Sequence, residues 1–244
     1  MTGPPHASWA EVYDLAYQET FGTFYTRLTE ATLGTVENLV QPPARIVDFG
    51  AGTGRLAIPL AEKGFSLTAV DPCWEMLDQM QKKARQGKIK DKLTVVCSRM
   101  ENFACKPIFD LALCVFTVIC YLLDKERLKK ALAAAHASLK PGGVLIIDIP
   151  SKEIFCDVRC SSDSIKRSVS VTESASENIF IYREELKVKR GKNWKAYQDE
   201  FKIRYWHEAE LSALLEDIGF TSGENLPVCN SFGANYYKYL KGTE

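Results

Sequence analysis

The chain has 244 residues, with 31 lysines and arginines against 31 aspartates and glutamates, and 46% of it is hydrophobic. That length suits one large domain or a domain carrying an insertion. Zero net charge lacks the basic excess of a nucleic-acid binder, so nucleic acid is not an expected partner. No apolar run reaches the length of a membrane span, so no membrane association is expected. The first residues are polar and contain prolines, rather than running basic then apolar, and the expected location is cytoplasmic. Eight cysteines are scattered without a C-x-x-C pair, and the three histidines, His6, His136 and His207, are far apart. This predicts free thiols and no metal site.

In chain order, residues 9–17 and 24–40 carry apolar side chains at helical spacing, the first rich in aromatics at Trp9, Tyr13 and Tyr17. Gln41-Pro42-Pro43 breaks the helix before an apolar run that ends in an acid, Ile46-Val47-Asp48. Glycines follow at alternate positions, Gly50, Gly52 and Gly54, and then an amphipathic run over 56–63 with Pro59 inside it, where a kink is expected. A second strand over 66–70 ends at Asp71, and a helix over about 74–85 ends before Gly87. Residues 93–97 and 109–116 read as the third and fourth strands, 125–139 as a helix, and 144–149 as the fifth strand after Lys140-Pro141-Gly142-Gly143. Strand–helix alternation with near-continuous apolar strands predicts a parallel sheet covered on both faces.

The pattern then changes. Residues 167–172, 179–189 and 194–206 alternate apolar and polar without intervening helices, which predicts an antiparallel insertion with a hairpin turning near 190–193. A helix over 208–218 stops at Gly219, and 235–240 is a final aromatic strand.

A strand–glycine turn–helix unit brings backbone close to a ligand and aims the helix N-terminus at an anionic group. Three readings compete. The turn can be purely structural. Gly52-x-Gly54-x-x-Ala57 also fits the loose dinucleotide form, although Asp48 at the strand tip repels a pyrophosphate. The third is a nucleoside bearing a cationic amino acid, with Asp48 for the ammonium and Asp71 for the ribose hydroxyls. Asp71 has a competing role as the cap of the helix that follows it.

The set as a whole resembles the class I S-adenosylmethionine-dependent methyltransferases. Asp48-Phe49-Gly50-Ala51-Gly52-Thr53-Gly54 matches their acid-x-G-x-G-x-G motif, Asp71 their ribose-binding acid, and Met76-Leu77 their adenine-contacting pair. Leu139 to Gly143 matches the turn before their fifth strand, and 210–220 their last helix. The insertion resembles that of the amino-sugar N-methyltransferase subgroup, where it roofs the acceptor site. The resemblance implies an α/β, Rossmann-like, doubly wound and mostly parallel seven-stranded sheet with helices on both faces, plus an antiparallel β insertion after strand five. It implies an N-terminal helical lid over 1–40, a cofactor-binding core over 41–150, an acceptor roof over 151–206, and a closing helix and strands over 207–244.

The implied cofactor is S-adenosylmethionine, leaving as S-adenosylhomocysteine, with no metal. Its implied contacts are Asp48, Gly50, Ala51, Gly52 and Gly54 on the turn, and Asp71, Pro72 and Met76 after strand two. Arg99, Met100 and Glu101 follow strand three, Phe116 follows strand four, and Tyr17 comes from the lid. Arg99 stands where many members have an adenine-contacting aspartate, and arginine cannot accept a hydrogen bond; Glu101 is the candidate substitute.

The implied reaction moves a methyl group to a nitrogen or oxygen of a small-molecule acceptor. Orientation and desolvation do most of the work, helped by one base. Asp148 and His207 are the first candidates for that base, followed by Tyr13, Tyr17 and Tyr121. Two alternatives stay open. The basic hairpin 187–195 could guide an RNA or protein substrate, or the chain could bind S-adenosylmethionine without catalysing transfer.

Overall fold

The computed structural model describes residues 3–87, 89–221, 223–227, 229 and 233–243. Its main sheet has seven strands. The parallel ones are β1 (Arg45–Phe49), β2 (Ser66–Asp71), β3 (Leu93–Cys97), β4 (Phe109–Cys114) and β5 (Leu139–Pro150). After an inserted sheet come β10 (Glu224–Asn225) and β11 (Ala234–Leu240), giving the order β10-β11-β5-β4-β1-β2-β3. β11 runs antiparallel to β5, and β10 antiparallel to β11. The expected seven-stranded, doubly wound α/β sheet is thus present, and β10 is a strand that periodicity did not reveal, being two residues long.

Period-two alternation decides which layer each side chain joins. Val47 and Phe49 of β1 pack with α5 (Lys125–Ser138) and α6 (Glu208–Ile218) through Leu128, Leu132, Leu211 and Leu215. Ile46 faces the other way, toward α2 (Thr23–Leu39), α3 (Ala57–Glu62) and α4 (Trp74–Gln86), meeting Leu28, Leu60, Leu77 and Met80. Pro59 falls in the first turn of α3, where a proline disturbs a helix least. The strand order reverses between β1 and β4, so a crevice opens beyond the carboxyl ends of these two strands.

The inserted sheet has four antiparallel strands, β6 (Val158–Ser161), β7 (Ile165–Glu173), β8 (Ile179–Arg190) and β9 (Asn193–Arg204). Arg190 pairs with Asn193, so Gly191-Lys192 is a two-residue hairpin turn, and Gly191 has φ 63°. Ile165, Leu186, Val188 and Tyr197 of this sheet pack against Trp9, Val12 and Ala16.

The single N-terminal helix expected over 9–17 is two pieces. A 3-10 turn spans Ala7–Val12 and α1 spans Tyr13–Phe21, the chain leaving helical geometry at Val12 (φ −121°) and, within the turn, at Trp9 (φ −132°). The fourth strand stops at Cys114, two residues short of the expected end, because Phe116 and Thr117 turn left-handed at φ 69° and 66°.

Candidate functional site

The glycines of the first turn act in different ways. All three have positive φ, 69° at Gly50, 54° at Gly52 and 88° at Gly54, so a side chain is strained at each. A Cβ on Gly50 would sit 2.4 Å from Val118 Cγ2, and one on Gly54 2.7 Å from Met80 Cγ. Gly54 therefore lets α4 pack close. Gly52 turns its N–H to Asp71, donating to Oδ2 at 2.9 Å. The other Asp71 oxygen accepts from the Cys73 N–H at 2.8 Å, while α4 itself takes Cys73 as its N-cap. Asp71 is thus aimed by two backbone donors while staying at the tip of β2.

Around this turn lies a cavity of about 950 Å3. The structure brings to its wall Tyr17, Asp48, Gly50, Ala51, Gly52 and Asp71, and also Pro72, Met76, Arg99, Met100, Glu101 and Phe116. Gly54 alone of the expected contacts is not on the wall, since it faces Met80 and Ile58. Leu77, next to Met76, is fully buried in the core.

Asp48 is 4% exposed, and burial pushes its carboxyl up to about 7 against the pull of the Arg55 guanidinium, with the Asp71 charge adding to the rise. Asp71 is raised too, mainly by burial, with the Cys73 and Gly52 N–H groups opposing. The wall therefore carries two desolvated acids that a ligand cation and hydroxyl donors would satisfy. Arg55, just after the turn, escaped notice in the sequence. Its guanidinium lies 4.7 Å from the Phe116 ring centroid and 5.6 Å from that of Tyr25, and Nη1 donates to Thr29 at 3.1 Å.

Beyond β3, Arg99 lines the cavity, and its side chain is 60% exposed. The substitute acid, Glu101, is gripped by Arg127 at 2.7 and 2.9 Å. Met100 is buried between them and the core.

Both first candidates for a base lie off the cavity wall. Asp148 is 1% exposed, and its two oxygens accept from the Thr117 N–H at 3.1 and 2.9 Å. Burial pushes it up to about 7, against backbone bonds from Thr117 and Phe116. Its position fits a positioning residue that holds the left-handed Phe116–Thr117 turn, a conformation that costs about 1–3 kcal/mol per residue. His207 is exposed at the N-cap of α6, where its side chain caps nothing. Its ring stands edge-on to Tyr205 at 4.9 Å, and Nε2 is 3.5 Å from Asn178. His207, a candidate base in the sequence, thus stands exposed and outside the residues that line the cavity.

The N-terminal segment and the insertion close the cavity from above. His6, Tyr13, Tyr17 and Tyr121 line it, together with Phe201 and Lys202 of β9. Trp9, Tyr13 and Tyr17 form a stacked ladder, with Tyr13 and Tyr17 centroids 4.3 Å apart. Behind it, Arg167 lies 4.7 Å over the Tyr17 ring and binds Glu184 with Nη2 at 2.5 Å and Nε at 3.2 Å. Neither residue stood out in the sequence. Both occupy inward positions in strands whose other inward residues are Ile165, Val169, Leu186 and Val188. A charge in phase with an apolar face was the available signal.

A model of the methyltransferase domain matches residues 46–143. The fold is similar to a crystal structure of an S-adenosylmethionine-dependent methyltransferase from Clostridium acetobutylicum ATCC 824, with a TM-score of 0.80 and 22% identity over 95% of this chain and 98% of that one. The sequence is 24% identical to a dTDP-3-amino-3,4,6-trideoxy-alpha-D-glucopyranose N,N-dimethyltransferase of Streptomyces venezuelae, over 86% of this chain and 89% of that protein. It is 32% identical to a glycine/sarcosine N-methyltransferase of Aphanothece halophytica, over 46% of this chain and 43% of that protein. Residues 46–143 thus match a methyltransferase domain, and the acid-led glycine turn and the strand order around it share the fold of S-adenosylmethionine-dependent methyltransferases.

Proposed function

We propose that this protein transfers a methyl group from S-adenosylmethionine to a nitrogen or oxygen atom of a small-molecule acceptor. The observation that carries the reading is Asp48, a cavity-wall carboxyl that burial has pushed up to about 7 and that gains a partner when an ammonium arrives. Gly50, Ala51 and Gly52 of the glycine turn stand on the same wall, which suits the same ligand. When bound, the cofactor supplies an electrophilic methyl on a positively charged sulfur.

In this reading Asp48 holds the amino-acid end, and Asp71, aimed by the Gly52 and Cys73 N–H groups, accepts from the ribose hydroxyls. Met76, Met100 and the 97–99 backbone face the base, and Phe116 and Tyr17 flank the methyl end. The stacked Trp9–Tyr13–Tyr17 ladder and β9 exclude water over the acceptor.

A cavity of about 950 Å3 stands at the upper end of small-ligand sites, with room for cofactor and acceptor together. The basic hairpin contributes no residue to the wall, and its Lys195 is paired with Glu11 at 2.8 Å. That supports a small acceptor over a hairpin-guided macromolecule. The relatives' printed acceptors, an amino sugar and glycine or sarcosine, are both amines.

Calorimetry with S-adenosylmethionine and, separately, with a nicotinamide dinucleotide tests the cofactor. Binding of the dinucleotide alone overturns the proposal. Release of S-adenosylhomocysteine with amino-sugar nucleotides, glycine and simple alcohols then tests the acceptor class. Tight cofactor binding without transfer to these or to wider metabolite pools points to the non-catalytic alternative.

A further inference from the structure

We propose that Tyr121, His6 and Glu184 form a proton relay in the cavity roof that takes the proton shed by the methyl acceptor. The proposal rests on the methyl-transfer reading above. His6 Nε2 lies 2.9 Å from Tyr121 Oη. On the other side of the ring, Nδ1 lies 3.5 Å from Glu184 Oε2 and 3.9 Å from Asp199 Oδ2. Nδ1 and Oε2 are both buried, and neither makes a hydrogen bond among the described residues. A phenol, an imidazole and a carboxylate in that order are the parts of a base–orienter chain.

The chain is held in place from three sides. The His6 backbone N–H donates to Asp199 Oδ2 at 2.6 Å, and its ring is boxed by Phe201 at 4.8 Å and Trp9 at 5.0 Å. Tyr121 sits on a turn whose carbonyls, Ile119 O and Leu122 O, both accept from the Trp206 indole N–H at 3.1 Å. Glu184 is fixed by Arg167. Tyr121 and His6 both line the cavity, while Glu184 stands behind them as a positioning residue.

Charge decides what the cluster is for. Burial raises the Glu184 carboxyl, but His6 and Arg167 outweigh it and hold the group below its usual range. Two carboxylates, Glu184 and Asp199, then surround the ring against one guanidinium, Arg167. Tyr13 of α1 also faces the ring, at 5.4 Å, and burial pushes its phenol well up, so it adds no charge. Asp71 of β2 feels the same imidazole across the cavity. One proton on His6 would balance the charges of these three groups alone, Glu184, Asp199 and Arg167. The three ligating atoms of His6, Glu184 and Asp199 also lie within 4.8 Å of one another, as a metal site requires. A divalent ion there would leave a net positive charge buried beside Arg167, which a single proton does not.

In the relay, the acceptor's N–H or O–H proton passes to Tyr121 Oη while the phenolic proton passes to His6 Nε2. The acceptor keeps the electron pair and uses it to bond the methyl carbon; the electrons of the broken carbon–sulfur bond stay on sulfur. Nδ1–H of the imidazolium is held by Glu184, and the proton leaves to water as product departs.

Nitrogen-15 NMR of the histidine-labelled full chain at about pH 8, assigned with His6→Gln, tests the arrangement without turnover. The expected result is a His6 ring protonated at Nδ1 and bare at Nε2, with the Nε2 signal moving in Tyr121→Phe. In Glu184→Gln the Nδ1 preference is lost, while calorimetric affinity for S-adenosylmethionine stays within about threefold of the parent. A His6 ring protonated at Nε2 in the parent protein overturns the relay, as does stoichiometric uptake of Zn2+ that shifts Nδ1. The parent tautomer and Tyr121→Phe decide the matter if Glu184→Gln does not fold. Loss of S-adenosylmethionine binding in the parent protein sinks the methyl-transfer reading instead, so the two failures are distinguishable.

Discussion

Replacing Asp48 with asparagine should stabilise the cofactor-free protein and weaken its grip on S-adenosylmethionine. The magnitude follows from the carboxyl's folded value of about 7 against an ordinary 3.8. A folded value above the unfolded one means stability is highest below the ordinary value and is lost as pH rises through about 7. By pH 8 the ionised group costs about 4 kcal/mol, of which about 2–3 kcal/mol is lost between pH 5 and pH 8. Asparagine keeps the shape and removes the charge, so part of this is recovered. A gain of about 1–3 kcal/mol at pH 8 raises Tm by roughly 2–12 °C for a chain of this size. The gain should shrink at pH 5, where the parent carboxyl is already protonated in the folded state. Asp148 has a similarly raised carboxyl and gives the parent protein a further pH slope of the same sign, which the variant keeps. Thermal melts of parent and variant at the two pH values isolate the Asp48 contribution. Calorimetry should show cofactor affinity falling about 10–150-fold, the loss of one charge-assisted contact. A variant destabilised equally at both pH values, with affinity unchanged, would refute the assignment of Asp48 to a desolvated ammonium site.

Asp71→Ala should weaken S-adenosylmethionine binding by roughly 1.5–3 kcal/mol in calorimetry, through loss of hydrogen bonds to a charged acceptor; an unchanged affinity would mean the ribose lies elsewhere. Asp148→Ala leaves the part-buried Thr117 N–H without its acceptor and should lower stability by about 1–3 kcal/mol in denaturant melts. Full stability in that variant would show that the left-handed turn holds itself. His207→Ala should change stability by less than about 0.5 kcal/mol and leave turnover intact, since the ring is exposed and caps nothing; a large loss of turnover would return it to the site. Gly50→Ala should abolish cofactor binding, because the new Cβ meets Val118 at a positive φ; wild-type affinity would show that the turn can shift without cost.

What the sequence determined by itself is local in origin. The alternation of strands and helices, the acid-led glycine turn, Asp71 at the next strand tip and the two-residue hairpin all depend on short-range patterns of polarity, φ preference and chain reversal. These are the features that build the core and one wall of the cavity, and twelve of the thirteen expected cofactor contacts stand on that wall. Gly54 lies off that wall because it faces Met80 of α4, and only packing shows this approach of turn to helix.

The roof could not be read in the same way. His6 stands 115 residues from Tyr121 in the chain, and of the three only Tyr121 was a candidate from the sequence. The tertiary structure decided that Asp148 grips a backbone turn and that His207 faces outward. It also decided that an isolated histidine near the N-terminus is wedged between a phenol and two carboxylates. The physical reason is range: backbone preference acts over a few residues, whereas the charge and desolvation that define this roof arise only when the N-terminal segment packs onto the inserted sheet.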